Sequence, residues 1–153
     1  MTTPTLITLD SVTTAVVRGV VPTDELPAFF DRAFSTLTEV LGGQGVQMTG
    51  AAFGLYQAEP GDTADLEVGF PTDRPVKEVG DVVNSSLPGG RVARVVHEGS
   101  FDGLGGAWER LTAWIGGQGL RPSTPFWEVY LTEPSPDMDP ADLRTELNRP
   151  VQA

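Results

Sequence analysis

Apolar residues recur at helical spacing in two parts of the chain. The first set stands at positions 30, 33, 34, 37, 40 and 41, and the second at positions 104, 107, 108, 111, 114 and 115. Spacings of i, i+3, i+4 and i+7 place such residues on one face of a helix. We therefore predict a helix with Asp24 as its N-cap and Gly42 as its left-handed end. A second helix is predicted from residue 101 or 102 to Ile115, with Gly116 in the same terminal role.

Strand-like segments surround both predicted helices. They are rich in β-branched residues or alternate between apolar and polar positions, which is typical of half-buried strands. One segment precedes each helix and two follow it, at residues 11–21, 51–58, 65–70, 90–99, 125–132 and 142–147. Each half of the chain therefore has the predicted order strand–helix–strand–strand, and a further strand is predicted within residues 78–87.

The two halves also share sequence. The segment VLGGQGVQMTGAAFGLYQAEP (residues 40–60) aligns with WIGGQGLRPSTPFWEVYLTEP (residues 114–134) at a constant offset of 74 residues. The letters GGQG, a tyrosine and the pair EP recur at matching places. Similarity at a fixed offset, with apolar helix positions that also match, predicts an internal repeat.

The repeat determines the predicted architecture. Its modules cover about 11–71 and about 90–151 within a single domain of residues 1–153. Neither module alone could bury both a helix and a sheet face, so the two are expected to combine. The predicted fold is α+β, with tandem duplicated strand–helix–strand–strand modules that form one mostly antiparallel sheet, two helices and a central groove. Ligand sites are common at such junctions.

Charge and composition limit the function classes. The formal net charge is −11, and the ten Lys and Arg residues are scattered. Nucleic acid would repel such a chain, so no direct nucleic-acid binding is expected. There is no cysteine, no apolar run of 18 residues and no signal-peptide pattern at the N-terminus. These features favour a cytoplasmic protein that does not enter a membrane.

Three motifs that could carry chemistry are better explained by structure. Both GGQG segments follow a predicted helix, whereas a phosphate cradle needs a helix N-terminus, so they are interpreted as helix ends and turns. The single histidine, His97, lacks the partners of a zinc site or a catalytic triad and is interpreted as a strand residue near a turn. The acidic segment DPADLRTE lacks calcium-loop spacing. No metal or cofactor is expected.

One carboxylate stands in the middle of the aromatic strand PFWEVYLT. Alternation places Phe126, Glu128 and Tyr130 on one face of this strand. At the matching positions of the first half lie Gly54, which leaves a gap opposite Glu128, and Tyr56. A carboxylate that faces a gap between two tyrosines suits a flat cation. The alternative is that this face points to solvent and Glu128 is an ordinary exposed residue.

The second half of the chain resembles a known family. The motifs HEGSFDGL, WEVYLTEP and TELNRPV are similar to those of the GyrI-like small-molecule-binding domain, which also forms the effector-binding part of AraC- and MerR-type multidrug regulators. The resemblance covers essentially the whole chain and is firmest over residues 90–151. It implies a tandem fold and a central groove that binds lipophilic, often cationic aromatic compounds around a buried glutamate. That role passes to Glu128, with Tyr130 as the aromatic of the same motif. Phe101 holds a position that is often Tyr.

The resemblance leaves three functions open. The leading hypothesis is a stand-alone multidrug-binding protein, with a link to antibiotic resistance. Its groove walls would include Tyr56, Phe29 and Trp108, although Trp108 also fits a helical core. The second is a hydrolase of cyclopropane-bearing DNA-alkylating drugs. In it Glu128 is the catalytic group, and Glu146 is a weaker candidate because its strand neighbours point to the opposite face. The third is an inhibitor of DNA gyrase.

Overall fold

The computed structural model describes residues 3–132 and 137–153. Two helices cover Leu26–Gln44 (α1) and Leu104–Gly117 (α2). The strands are Thr5–Leu9 (β1), Val12–Pro22 (β2), Phe53–Tyr56 (β3), Thr63–Pro71 (β4), Val82–Leu87 (β5), Gly90–Glu98 (β6), Arg121–Pro122 (β7), Phe126–Tyr130 (β8) and Arg144–Gln152 (β9). The pair EP at residues 133 and 134, which contributes to the sequence repeat, lies outside the described residues.

The strands form one large curled sheet in which every pairing is antiparallel. Its order is β1-β6-β9-β8-β3-β4-β2-β5, and β7 pairs with β9 beside this path. The predicted α+β fold of two helices and an antiparallel sheet is confirmed. The two halves of the chain meet where β3 pairs with β8, and there Gly54 lies directly opposite Glu128. The sequence duplication and its module boundaries stay predictions.

Two strands were absent from the sequence prediction. The edge strand β1 pairs with β6, so its partner lies some 85 residues away in the register Thr5↔Arg94 to Leu9↔Gly90. The second, β7, has only two residues. Local periodicity does not signal either case, because such short strands are defined by their distant partner. The additional strand predicted within residues 78–87 is present as β5.

The predicted helix boundaries need correction at both ends. Asp24 is not an N-cap, because it lies in a 3-10 turn that precedes α1. Gly42 and Gly116 lie inside their helices, and the left-handed residues are Gly45 (φ 66°) and Gly119 (φ 75°). In both cases the left-handed residue is the fourth letter of GGQG. The interpretation of GGQG as a helix end was therefore right, but the position was three residues too early.

Backbone hydrogen bonds explain this common ending. After α1, the N–H of Val46 donates to the carbonyl of Leu41 and that of Gly45 donates to Gly42. After α2, the N–H of Leu120 donates to Ile115 in the same way. This is a Schellman motif, in which a left-handed residue lets the chain satisfy the last carbonyls of the helix. The motif also brings two apolar residues into one cluster at each helix end. They are Leu41 and Val46 after α1, and Ile115 and Leu120 after α2.

Both helices cover the same face of the sheet. Leu37 and Leu41 of α1 pack on β2 and β4, and Leu111 and Ile115 of α2 pack on β6 and β9. Fully burying a side chain of this size contributes roughly 1.5–3 kcal/mol. The opposite face carries a separate cluster that includes Trp127. In the described part of the chain, no helix has the length and apolar character needed to cross a membrane.

Candidate functional site

A groove lies on the helix-bearing face, between α1, the start of α2 and the central strands β3 and β8. Its volume is about 1050 Å³, at the upper end of the range for small-molecule pockets. Met48, Phe101 and Leu131, which are large, apolar and exposed, belong to its lining. The other lining residues are Leu26, Pro27, Phe30, Asp31, Phe34, Ser35, Thr38, Ala51, Ala52, Tyr56, Phe70, Leu104, Glu128 and Tyr130. Within the described part of the chain, the charged groups of this lining are the carboxylates of Asp31 and Glu128.

Glu128 is a buried carboxylate in the lining of this groove. It lies in the middle of β8 and is only 7% exposed. Both of its oxygens accept hydrogen bonds: the indole Nε1 of Trp108 donates to Oε2 at 2.7 Å, and the hydroxyl of Tyr130 donates to Oε1 at 2.9 Å. The alternative that this face of the strand is open to solvent is therefore wrong. Two directional bonds fix the carboxylate, and charged acceptors make such bonds stronger than neutral ones.

Burial and hydrogen bonding act on Glu128 in opposite directions. Burial raises the pKa of the Glu128 carboxyl, while the donors Trp108 and Tyr130 and the nearby His97 lower it. Burial also raises the pKa of Tyr130 and of Tyr56, and the Glu128 carboxylate raises both further. The two tyrosines are therefore neutral at ordinary pH, so Tyr130 keeps the proton that it donates to the carboxylate.

Aromatic rings form much of the wall. Phe30 and Phe101 approach the Tyr130 ring edge-on, at centroid distances of 5.9 Å and 6.2 Å. Phe34 lies between Phe30 at 5.8 Å and Phe70 at 5.5 Å. Rings at such distances attract each other and offer both faces and edges to a ligand. An apolar ligand with a positive charge would meet aromatic surface around a single buried carboxylate.

A family model matches almost the whole chain. The GyrI-like small molecule binding domain corresponds to residues 2–152. The chain belongs to this family. The resemblance seen in its motifs is thus confirmed, and small-molecule binding is the property that the family name describes. No curated protein sequence matches this GyrI-like domain.

Solved structures share the fold of this GyrI-like domain. The EcmrR C-terminal domain matches with a TM-score of 0.86 and 20% identity, over 98% of this chain and 97% of that one. In a complex of EcmrR with DNA the same fold recurs at 22% identity, and there this chain spans 57% of the EcmrR length. The structure of SAV2435 bound to tetraphenylphosphonium matches with a TM-score of 0.71 and 15% identity, over 99% of this chain and 95% of that one. A hydrolase from Listeria innocua matches with a TM-score of 0.70 and 14% identity, over 97% of this chain and 91% of that one.

Four of the predicted site residues line the groove of the GyrI-like domain, namely Glu128, Tyr130, Tyr56 and Phe101. Gly54 contributes space rather than surface. A Cβ atom at this position would lie 3.1 Å from the Tyr130 hydroxyl and 3.3 Å from Cζ of Phe30. Gly54 does lie opposite Glu128, but this protein's own Tyr130 and Phe30 side chains fill the space that the glycine leaves, so no open gap for a ligand is present there.

Three other predicted residues lie behind the lining. Phe126 is buried, where its ring stacks on Tyr56 at 5.6 Å and meets Trp108 at 5.0 Å. Phe29 packs into the core of α1, within contact distance of Gly19. Trp108 is not among the wall residues, but it reaches the site through its hydrogen bond to Glu128. The aromatic wall residues on α1 are instead Phe30 and Phe34, which belong to the apolar positions at helical spacing.

The remaining titratable candidates, Glu146 and His97, do not belong to the groove lining. Glu146 pairs with Arg94 at 3.2 Å and accepts a hydrogen bond from Asn148. It borders a smaller cavity of about 380 Å³ on the opposite face of the sheet. His97 is buried in β6, with Nε2 2.9 Å from the Ser100 carbonyl oxygen. Among the described residues, no three His, Cys, Asp or Glu side chains cluster as metal ligands.

Proposed function

We propose that the groove binds lipophilic cations, aromatic ones in particular, and that Glu128 supplies the countercharge. The observation that carries the proposal is the buried Glu128 carboxylate, held by two donors inside an aromatic groove. Among the described residues the lining contains no basic side chain, so a cation meets only attractive charges from them. The SAV2435 structure, which holds tetraphenylphosphonium, gives this chemistry a precedent on the same fold.

The energies favour charge and aromatic surface together. An ion pair at about 4 Å is worth about 4 kcal/mol at an effective dielectric constant of 20, before desolvation is subtracted. Each cation–π contact adds roughly 0.5–2 kcal/mol. Since few directional groups line the groove, ligands of different shape can satisfy it, and this is the physical basis of broad specificity.

The hydrogen bonds on Glu128 also bear on the ligand. Trp108 and Tyr130 already donate to both carboxylate oxygens. The two donors stabilise the carboxylate and fix its position, so the protein itself organises the charge that a ligand would meet. We infer a drug-binding domain, with antibiotic resistance as one biological setting. That the domain acts alone and in the cytoplasm stays a prediction.

Fluorescence titration with a cationic rhodamine tests the proposal. The Glu128→Gln variant keeps the shape of the side chain but loses its charge, and we expect it to bind the dye about 10–100-fold more weakly, or roughly 1.4–2.8 kcal/mol. A matched control is Glu146→Gln, which makes the same chemical change on the opposite face of the sheet. Equal affinity of the Glu128→Gln variant and the parent protein for the dye would show that Glu128 does not supply the charge.

A hydrolase is the second candidate for the same groove. Burial raises the pKa of Glu128, which suits a general acid or base. The other proposed carboxylate, Glu146, lies outside the groove. Mass spectrometry of a cyclopropane-bearing alkylator incubated with the parent and with a Glu128→Ala variant separates turnover from binding. Inhibition of DNA gyrase stays a prediction, for which a supercoiling assay is the measurement.

A further inference from the structure

Trp108 contacts the site carboxylate without forming part of the groove lining. Its indole Nε1 lies 2.7 Å from Oε2 of Glu128. Tyr130, the other donor to Glu128, does line the groove and would touch a ligand directly. Trp108 is thus the donor whose effect on a ligand has to pass through Glu128.

The Trp108 ring is held from its other side. Phe126 meets it at a centroid distance of 5.0 Å with planes at 64°. Phe126 is itself fixed between Tyr56, stacked at 5.6 Å, and the guanidinium of Arg149, which lies 4.4 Å from the ring centroid. Arg149 in turn forms an ion pair with Glu59 at 2.8 Å. A ring packed in this way has little freedom to turn its N–H away from the carboxylate.

We propose that Trp108 is a positioning residue for Glu128, whose indole N–H keeps the carboxylate charged and aimed into the groove. A fixed donor stabilises the carboxylate form more than the neutral acid, because a hydrogen bond to a charged acceptor is the stronger one and the indole can donate but not accept. The consequence for ligand uptake rests on the proposed function above, whereas the consequence for the carboxyl group itself does not.

The groups around Glu128 determine at which pH its carboxyl group loses its proton. The titratable or charged side chains that face it or share its immediate packing come from α1, β3, β6, β8 and β9, and they are Asp31, Tyr56, His97, Tyr130 and Arg149. Burial raises the pKa of Glu128, and the Trp108 hydrogen bond opposes that rise. Loss of the donor therefore leaves the carboxyl protonated up to a higher pH. Cation binding, which needs the charged form, should then begin at a higher pH.

The test compares Trp108→Phe with Trp114→Phe. The first variant keeps an aromatic ring but removes the N–H. The second makes the same change six residues along α2, in a residue that packs on the cluster of Leu111 and Ile115. We expect the pH midpoint of rhodamine binding to rise by about one unit or more in Trp108→Phe. Well above that midpoint, the affinity of Trp108→Phe for rhodamine should stay within about threefold of the parent. The Trp114→Phe variant should match the parent at every pH. A superimposable profile for Trp108→Phe, or an equal loss of affinity for cationic and neutral ligands at all pH values, would overturn the proposal.

A ligand-free measurement separates this proposal from the proposed function. In ¹³C-labelled protein the Glu128 side-chain carboxyl resonance, identified by its absence in Glu128→Gln, should titrate at higher pH in Trp108→Phe than in the parent. In the unsubstituted protein the Trp108 indole ¹H–¹⁵N resonance should move with the same midpoint as this carboxyl. An indole resonance that does not respond to the Glu128 titration would refute the role of Trp108, even if cation binding by Glu128 held.

Discussion

Removal of the Glu128 charge should change the stability of the fold in a pH-dependent way. Burial is the largest influence on this carboxyl and raises its pKa in the folded protein above the ordinary value of 4.5. A raised pKa means that the fold tolerates the neutral acid better than the carboxylate. The stabilising contribution of the protonated form is therefore complete below about pH 4.5 and is lost as the pH rises through the folded-state pKa.

The Glu128→Gln variant does not titrate at this position, so the comparison isolates the effect. Each unit of pKa elevation costs the parent about 1.4 kcal/mol of folding free energy once the carboxylate is fully charged. The variant carries a constant penalty of its own. Its NH2 group replaces one of the two oxygens that accept from Trp108 and Tyr130, and an unpaired buried donor costs about 1–3 kcal/mol. The parent should thus be the more stable protein near pH 4, and its advantage should shrink or reverse by pH 8.

Urea unfolding between pH 4 and pH 8 measures this difference by linear extrapolation. When the unfolding free energy of the variant is subtracted from that of the parent at each pH, the contributions of the other titrating groups cancel. Glu39→Gln, which removes an exposed carboxylate on α1, provides the baseline for the loss of one negative charge. A difference between parent and Glu128→Gln that stays constant with pH, or that grows in favour of the parent as the pH rises, would refute the reasoning.

Two further substitutions test the geometry around the carboxylate. Gly54→Ala places a Cβ atom 3.1 Å from the Tyr130 hydroxyl and 3.3 Å from Phe30. We expect the free energy of unfolding in urea to fall by about 1 kcal/mol and rhodamine binding to weaken several-fold. Unchanged rhodamine affinity would contradict the view that Tyr130 and Phe30 need the space at Gly54. Phe30→Ala removes a wall ring that contacts Tyr130 edge-on; aromatic ligands should bind about 2–10-fold more weakly, by roughly 0.5–1.5 kcal/mol, while a small aliphatic cation titrated in parallel should lose less.

The strand that carries the site was largely predictable from its own pattern. Alternation places Phe126, Glu128 and Tyr130 on one face, and the structure puts all three on the helix-bearing side of the sheet. The register that sets Gly54 opposite Glu128 follows from pairing of the two halves at equivalent strands. What alternation could not show is depth, because Phe126 is covered by its neighbours while Tyr130 reaches the groove.

The helix contributions were harder to predict for a geometric reason. Phe29 and Phe30 are adjacent, and one residue turns the side-chain direction by about 100°. Phe29 faces the core and Phe30 faces the groove. The apolar pattern marks the broad buried side of α1, but the line where core gives way to groove depends on how the helix lies across the sheet. The same holds for Trp108, whose hydrogen bond to Glu128 is set by the placement of α2 over β8.

The asymmetry between Gly54 and Glu128 follows from where these residues meet. They are direct partners at the junction of β3 and β8, and side chains directly opposite in an antiparallel pair lie roughly 4.5–5.5 Å apart at Cβ. Two carboxylates at that distance in a buried site would repel each other, and one would take up a proton. A side chain in place of Gly54 would also displace the Tyr130 hydroxyl, one of the two donors that hold Glu128. A single charge on one strand and no side chain on the other is therefore the arrangement that leaves Glu128 without a competing carboxylate and with both of its donors in place.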